Sequence, residues 1–302
     1  MLANMNLILR RARAGRYAIG AFNVYNLETI KSVINAAERC NSPVILQTSA
    51  SAIKYASLPI IAATIKIAAR NSKIPIVLHL DHGKEVGLIR ECLKMGYNSV
   101  MFDGSLKNFR ENVFLTRKAV LLAHKYNASV EAEIGVIGGK EDDSKNGIAY
   151  TQPDEAKEFA EKTGIDALAV SIGTSHGMLK PESEKLRIDI LREIKKKVKI
   201  SLVLHGASLV EGKDVEKARR YGAKIGDFMG VPKKEIRQAI REGISKINVD
   251  TDLRIVFSSA MREFYSKNPG NINPRDALSF AEKALEKNVE EHIRLFGSYG
   301  RA

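Results

Sequence analysis

Along the chain, short apolar runs alternate with stretches in which apolar residues recur every three or four positions. Eight runs predict strands: Tyr17–Phe22, Pro43–Thr48, Ile74–Gly83, Asn98–Phe102, Ala128–Ile134, Ala167–Ile172, Ser201–Leu204 and Ser245–Val249. The intervening stretches predict helices at Leu27–Glu38, Leu58–Asn71, Val86–Met95, Phe109–Tyr126, Pro153–Thr163, Asp189–Lys197 and Lys233–Glu242. Asn26 stands where an N-cap belongs. Most of the strands lack clean polar alternation, as strands covered on both faces of a parallel sheet do. Eight such units in about 250 residues predict a (β/α)8 TIM barrel, an α/β fold. No strand leads into a G-x-G-x-x-G turn, so a doubly wound dinucleotide fold fits less well.

Two segments exceed a minimal barrel. The stretch near 209–231 is longer than a usual connection and predicts a helical insertion over Asp214–Tyr221. From about Asp252 to Phe296 the chain predicts a helical C-terminal extension, of the kind that packs on a neighbouring subunit. No repeat, linker or low-complexity segment divides the 302 residues, which are expected to form a single domain, 1–302. Met1–Tyr17 carries four arginines without an apolar core, so it is expected to be a leader that is not a signal peptide. No run of about eighteen apolar residues is present, so no membrane partner is expected.

Charge changes this picture little. The net charge is +13, yet the basic residues are scattered, and Lys195-Lys196-Lys197 and Arg219-Arg220 lie on amphipathic stretches. Solvated helix faces explain them better than a nucleic-acid surface does. Aromatic residues make up 6% with no Trp, and none interleave with arginine as base-stacking platforms would. Cys40 and Cys92 lie far apart without metal-ligand spacing, as in a reduced cytoplasmic protein.

The chemistry gathers where strands end. Asn23, Ser49, Asp81-His82, Asp103, Glu133, His176-Gly177, His205-Gly206 and Asn248–Thr251 follow or close predicted strands. In a barrel those carboxyl ends converge on one mouth, where catalysis occurs. Three imidazoles from three strands suit a catalytic zinc with an open position, and His82, His176 and His205, each followed by glycine, are the candidates. His79 shares Asp81's side of its strand and is expected to pack or orient a neighbour. His124 and His292, on helices, are expected at the surface. Asp103 and Glu133 suit either a second, oxygen-rich cation site or acceptors for the histidine rings. His176-Gly177, Gly206-Ala207-Ser208 and Asn248-Val249-Asp250-Thr251 form turns able to hold an anion with backbone N–H groups. Glu141 follows Gly138-Gly139 in a polar loop that could close over the mouth and deliver a base.

These motifs resemble the class II, metal-dependent fructose-1,6-bisphosphate aldolases from Ala21-Phe22-Asn23-Val24 almost to Leu295-Phe296-Gly297-Ser298. The carrying stretches are Val77–Gly83, Glu131–Gly135 with Gly138–Asp142, Thr174–Gly177, Leu204–Ser208 and Lys246–Asp252. The resemblance implies cleavage of fructose 1,6-bisphosphate to dihydroxyacetone phosphate and glyceraldehyde 3-phosphate, in glycolysis and gluconeogenesis. It implies catalytic Zn2+ on His82, His176 and His205, a second divalent cation at Asp103 and Glu133, and a monovalent cation. Asp81 would move the proton at the aldol oxygen, and Glu141 the proton on the carbon of dihydroxyacetone phosphate. Ser49 and Asn23 would contact substrate; Gly177, Gly206, Ala207, Ser208, Asn248, Val249, Asp250 and Thr251 would hold the ketose phosphate. Arg275 matches an arginine reaching across a dimer interface toward the far phosphate, so a homodimer or homotetramer is implied. The chain departs from the family pattern at Ser49–Ala52, Leu179 and Leu209.

Other readings are a tagatose-1,6-bisphosphate aldolase, a Schiff-base aldolase and, more distantly, a basic nucleic-acid-binding protein. A Schiff-base enzyme needs a lysine inside the mouth, and the sixth strand offers Val170-Ser171-Ile172 instead.

Overall fold

Eight parallel strands close into a barrel in chain order, β1 pairing with β2 on one side and β8 on the other. They are β1 (Ile19–Asn23), β2 (Val44–Thr48), β3 (Ile76–Gly83), β4 (Ser99–Phe102), β5 (Ser129–Ile134), β6 (Ala167–Val170), β7 (Ser201–Leu204) and β8 (Ile244–Val249). Ile19 opposite Lys246 and Phe22 opposite Val249 set the closing register. The computed structural model describes residues 2–139, 149–176, 185–226 and 230–302. A two-residue strand, Gly138–Gly139, pairs in parallel with Ser175–His176 above the barrel.

Helices surround this barrel: α1 (Met5–Gly15), α2 (Leu27–Arg39), α3 (Ala50–Ala56), α4 (Leu58–Asn71), α5 (Val86–Lys94), α6 (Phe109–His124), α7 (Pro153–Thr163), α8 (Ile188–Lys197), α9 (Gly212–Arg220), α10 (Lys233–Arg241), α11 (Thr251–Lys267) and α12 (Pro274–Phe296). Asn26 caps α2 as expected, in a capping box with Thr29. The insertion contains α9, as expected. No single helix among the described residues is long and apolar enough to cross a membrane. The bent apolar pair α3–α4 buries Ile61, Ala62, Ile65 and Ala69.

Period-2 geometry sorts the strand residues into two cores. Outward-facing Phe22, Leu46, Leu78, Val100, Val130, Leu168, Leu204 and Ile247 pack against the helices. Inward-facing Ile19, Ala21, Ile45, Val77, Met101, Ala169 and Val203 fill the lower barrel with Met5, Ile8, Leu9 and Ala12 of α1. The amino-terminal segment is thus a helix that floors the barrel, where a leader was expected. Asn4 caps it, and Asn6 ties it to Asp166 at the foot of β6 (2.8 Å).

The C-terminal extension is helical and packs within its own chain. Asn268–Asn273 separates α11 from α12, and α12 packs along α2 of its own chain. Lys31–Glu282, Arg39–Glu286 and Arg39–Glu290 bridge that seam at 2.7–2.9 Å. Buried Leu285, Val289, Ile293 and Phe296 supply its apolar side. The segment therefore closes the helical ring beside β1. His292 lies on this buried side with only 2% of its surface exposed, correcting the surface position expected for it. His124 is half exposed, as expected.

Candidate active site at the barrel mouth

Above the apolar floor the inward frame turns polar. Asn23, Gln47, His79, Asp81, Glu131, Glu133, His205, Lys246 and Asn248 are all buried. Each continues the two-residue period of a strand whose lower inward positions belong to the floor or its neighbours.

β3 departs from that period once. Leu80 stands opposite Val100 and Gly83 opposite Phe102, so β3 carries one residue more than β4 across this step. His82, at φ +46°, is the residue at the irregularity. A bulge re-aims a side chain, and here Asp81 and His82 both reach the mouth although adjacent in sequence. A Cβ on Gly83 would come within 2.7 Å of the Met101 carbonyl oxygen, so this close crossing requires glycine.

Of the three candidate ligands, the imidazoles of His82 and His205 are described, and they converge. His82 Nε2 and His205 Nδ1 are 2.9 Å apart, with their rings nearly perpendicular. Each ring's other nitrogen meets a carboxylate: His82 Nδ1 donates to Asp103 at 2.8 Å, and His205 Nε2 donates to Glu131 at 2.7 Å. Carboxylate partners place the ring protons on those outer nitrogens. The facing nitrogens, with Asn248 Nδ2 3.3 Å from His205 Nδ1, are then the ones able to ligate a cation.

Electrostatics favour the same state. Burial, foremost, lowers the pKa of His205, keeping the ring neutral and able to ligate. Burial alone would raise Glu131, but the Lys246 ammonium and the His205 hydrogen bond hold it below the usual carboxylate range. Burial likewise opposes ionisation of Asp103, while hydrogen bonds from His82 and Ser105 prevail and depress it. His79 is pushed down to about 3 by burial and by Lys246. It bonds Ser99 Oγ at 2.7 Å and lies 3.8 Å from Glu131, the packing and orienting role expected of it.

Asp81 sits between three carboxamides. Asn23 and Gln47 donate to its Oδ2 at 3.0 and 3.1 Å, and Asn248 donates to Oδ1 at 3.1 Å. The ligand atoms of Asp81, His82 and His205 lie within 4.8 Å of one another, as do those of His82, Asp103 and Glu133. Asp103 is engaged as a ring acceptor, and Glu133 completes the neighbouring group of potential ligands.

The turns expected to hold an anion follow β7 and β8. Gly206 has φ +60°, and a Cβ there would meet the Ser175 backbone at 2.7 Å. Ser208 accepts from Val231 N at 3.0 Å, while Asp252 accepts from the amides of Leu209 (2.9 Å) and Val210 (2.5 Å). Ala207 and Val249 are buried. α11 begins at Thr251, and the Asp250 carboxylate bonds Arg254 (3.0 Å) without capping the helix. Ser49 Oγ caps α3 by accepting from Ala52 N at 3.2 Å. Arg275 is exposed at the start of α12, its Nε donating to Asn273 at 3.1 Å. Glu141, Gly177 and the imidazole of His176 lie outside the described residues.

Sequence reasoning missed Gln47, Glu131 and Lys246 as parts of the site. Each stands two residues before a chosen position (Ser49, Glu133, Asn248), so extending the inward frame down the strand would have found them. Lys246 is also a lysine inside the barrel, which the Schiff-base reading requires. It is fully buried and donates to Asn248 (2.7 Å) and to Glu131 (3.0 and 3.2 Å), so its Nζ is already engaged by two partners. A Schiff-base lysine needs its nitrogen open to the substrate carbonyl.

Comparison with known proteins gives the family of the chain. The family model for class II fructose-bisphosphate aldolase matches residues 3–225 and 228–301. A fructose-bisphosphate aldolase of Giardia intestinalis is 41% identical over 305 residues, covering 100% of this chain and 94% of the relative. One from Thermus caldophilus is 42% identical over 301 residues, covering 98% of each. Among solved structures, the YdjI aldolase of Escherichia coli K12 superposes with a TM-score of 0.82 at 32% identity over 100% of both chains. The chain therefore belongs to the class II fructose-bisphosphate aldolase family.

Proposed function

We propose that this protein catalyses the reversible aldol cleavage of fructose 1,6-bisphosphate to dihydroxyacetone phosphate and glyceraldehyde 3-phosphate. The observation that carries the metal-dependent reading is the pair of imidazole nitrogens 2.9 Å apart, each opposed by a carboxylate on the far side of its ring. His82, His176 and His205 would hold a divalent ion, zinc being the expected one, and Asp103 with Glu133 would line a second cation position; a monovalent cation is a further candidate. The ion would supply the Lewis acid that stabilises negative charge at the ketose oxygens.

The chain's own residues divide the remaining work. Asp81, aimed by Asn23, Gln47 and Asn248, takes the proton from the hydroxyl beside the breaking C3–C4 bond and returns it in synthesis. Glu141 exchanges the proton on the carbon of dihydroxyacetone phosphate. Ser49 contacts substrate near that bond. The amides of Gly177, Gly206, Ala207 and Ser208, with Asn248–Thr251 and the first turn of α11, hold the ketose phosphate. Glu131 and Asp103 fix the rings, and Lys246 compensates the buried charge of Glu131.

Arg275, exposed at the start of α12, would serve a neighbouring copy, so a homodimer or homotetramer is proposed. Exposed Ile60, Ile67 and Ile272 are further candidates for its interface. With Cys40 and Cys92 free and buried, we assign the enzyme to the cytoplasm.

The test is a coupled assay of zinc-loaded protein on fructose and tagatose 1,6-bisphosphates, with and without EDTA. Chelator-sensitive cleavage of the fructose ester, untouched by borohydride, is the expected result. Turnover that survives complete metal removal would overturn the reading.

A further inference from the structure

At the opposite end of the barrel from the mouth, α1, α8 and α10 enclose a cleft of about 350 Å3, within the range of small-ligand sites. Arg10, Arg13, Arg16, Lys195 and Arg241 line it, and no carboxylate does. Elsewhere the surface cations are widely paired: Lys31, Arg39, Lys107, Lys162, Arg187 and Lys197 each meet a carboxylate within 3.0 Å. Arg10, Arg13, Arg16, Lys195 and Arg241 form no ion pair among the described residues.

Two of these groups are tethered to backbone carbonyls, and Arg13, with both terminal nitrogens so engaged, contributes charge rather than a fork. The Arg13 guanidinium donates to the carbonyl oxygens of Val198 (3.3 Å), Lys199 and Ile200 (2.9 Å). Lys195 Nζ donates to the Arg241 carbonyl at 3.4 Å. Glu242, the neighbouring acid, bonds Arg192 at 2.9 Å and also feels the charges of Lys195 and Arg16, one carboxylate against five cations. A concave wall bearing one sign of charge focuses its field, and guanidinium forks match phosphate oxygens two at a time. A ligand with one phosphate would leave most of these cations unanswered; one with consecutive phosphates would not.

We propose that this cleft is a binding site for a small molecule carrying a chain of adjacent phosphates, either inorganic polyphosphate or a nucleoside triphosphate. It lies at the foot of the strands, so it would be filled independently of the mouth. A concave site of this size suits a compact polyanion better than an extended duplex.

Calorimetric titration of the full-length protein with tripolyphosphate, ATP and orthophosphate at about 150 mM salt tests this. Saturable binding of tripolyphosphate or ATP is expected, with orthophosphate at least about tenfold weaker. Equal affinity for the first two identifies the phosphate chain as the recognised group; tighter ATP identifies a nucleotide. Arg10→Gln combined with Arg241→Gln should weaken binding at least about tenfold while aldol cleavage is unchanged. His205→Ala should leave polyphosphate binding intact, because the mouth is not involved. Binding lost in His205→Ala but kept in the double variant would place the anion at the mouth and overturn the proposal. So would the absence of saturable binding, or binding of duplex nucleic acid alone.

Discussion

Lys246 and Glu131 support the candidate site from inside the barrel, through Asn248 and His205. Both are fully buried, and each is the other's charge partner. Removing one partner of a buried pair costs about 3–5 kcal/mol, because the survivor keeps its desolvation penalty. Lys246→Met should therefore lower unfolding free energy by roughly that amount, measured by urea denaturation. Glu131→Gln is milder in stability and more telling in chemistry. It removes the charged acceptor that fixes His205, and zinc affinity should fall about 10–100-fold in a competitive chelator titration. His205→Ala should abolish metal retention. Glu141→Ala should retain metal and lose most turnover, separating ligand from base in one pair of assays.

The candidate ligands were legible at this scale because His-Gly and Asp-His at strand ends are conspicuous. Glu131 and Lys246 were not, because a charged residue inside an apolar strand gives no sign of its partner on a strand 115 residues away. His292 was obscured by Glu290, Glu291 and Arg294 around it. Its place in the 285–289–292–296 spacing of buried residues was the available signal.

Among the elements, the eight strands and most helices could be seen because burial on two faces leaves uninterrupted apolar runs. Their ends shifted by one or two residues, where caps and pairing rather than pattern decide. α1 went unrecognised although Met5, Ile8, Leu9 and Ala12 follow the i, i+3, i+4, i+7 rule. Its arginines suggested a leader, whereas they stand on the solvent side of the barrel floor. Leu9 is fully buried in that floor, so Leu9→Ala should destabilise by about 2–5 kcal/mol. Activity at a temperature well below the transition should survive, since the floor and the mouth are separate layers. α3 was missed because seven residues are too few to establish a period, and only its cap, Ser49, gave a hint.

At the scale of the whole molecule, the buried Asp252–His292 contact (3.0 Å) joins α11, α12 and the turn at Leu209–Val210. Burial opposes charge on His292, but Asp252 outweighs it and raises the ring's pKa above 6.5. For Asp252 burial likewise opposes charge, and His292 with the two amides lowers its pKa below 3.8. A raised histidine contributes stability that is complete below its unfolded value and fades as pH climbs through the folded one. A depressed aspartate contributes above its unfolded value and fades as pH falls through the folded one. The pair therefore stabilises most between about pH 4 and 6.5. Between pH 6 and 9 the wild-type melting temperature should fall more than that of His292→Gln; equal slopes would show that the contact carries no charge.

The barrel floor also governs when the structure can form. Asn6 meets Ser129 and Asp166, and Arg13 meets Val198 and Ile200, across 123 to 187 residues of chain. During synthesis α1 emerges before the strands it packs on and has no complete seat until nearly two hundred residues have followed it. Its apolar stripe must wait, exposed or transiently sheltered, for the strands that will cover it. Contacts of such separation slow folding and lengthen the period of aggregation risk. The arginines beside that stripe would then act twice, keeping the nascent segment in solution before they furnish the outer wall of the finished barrel.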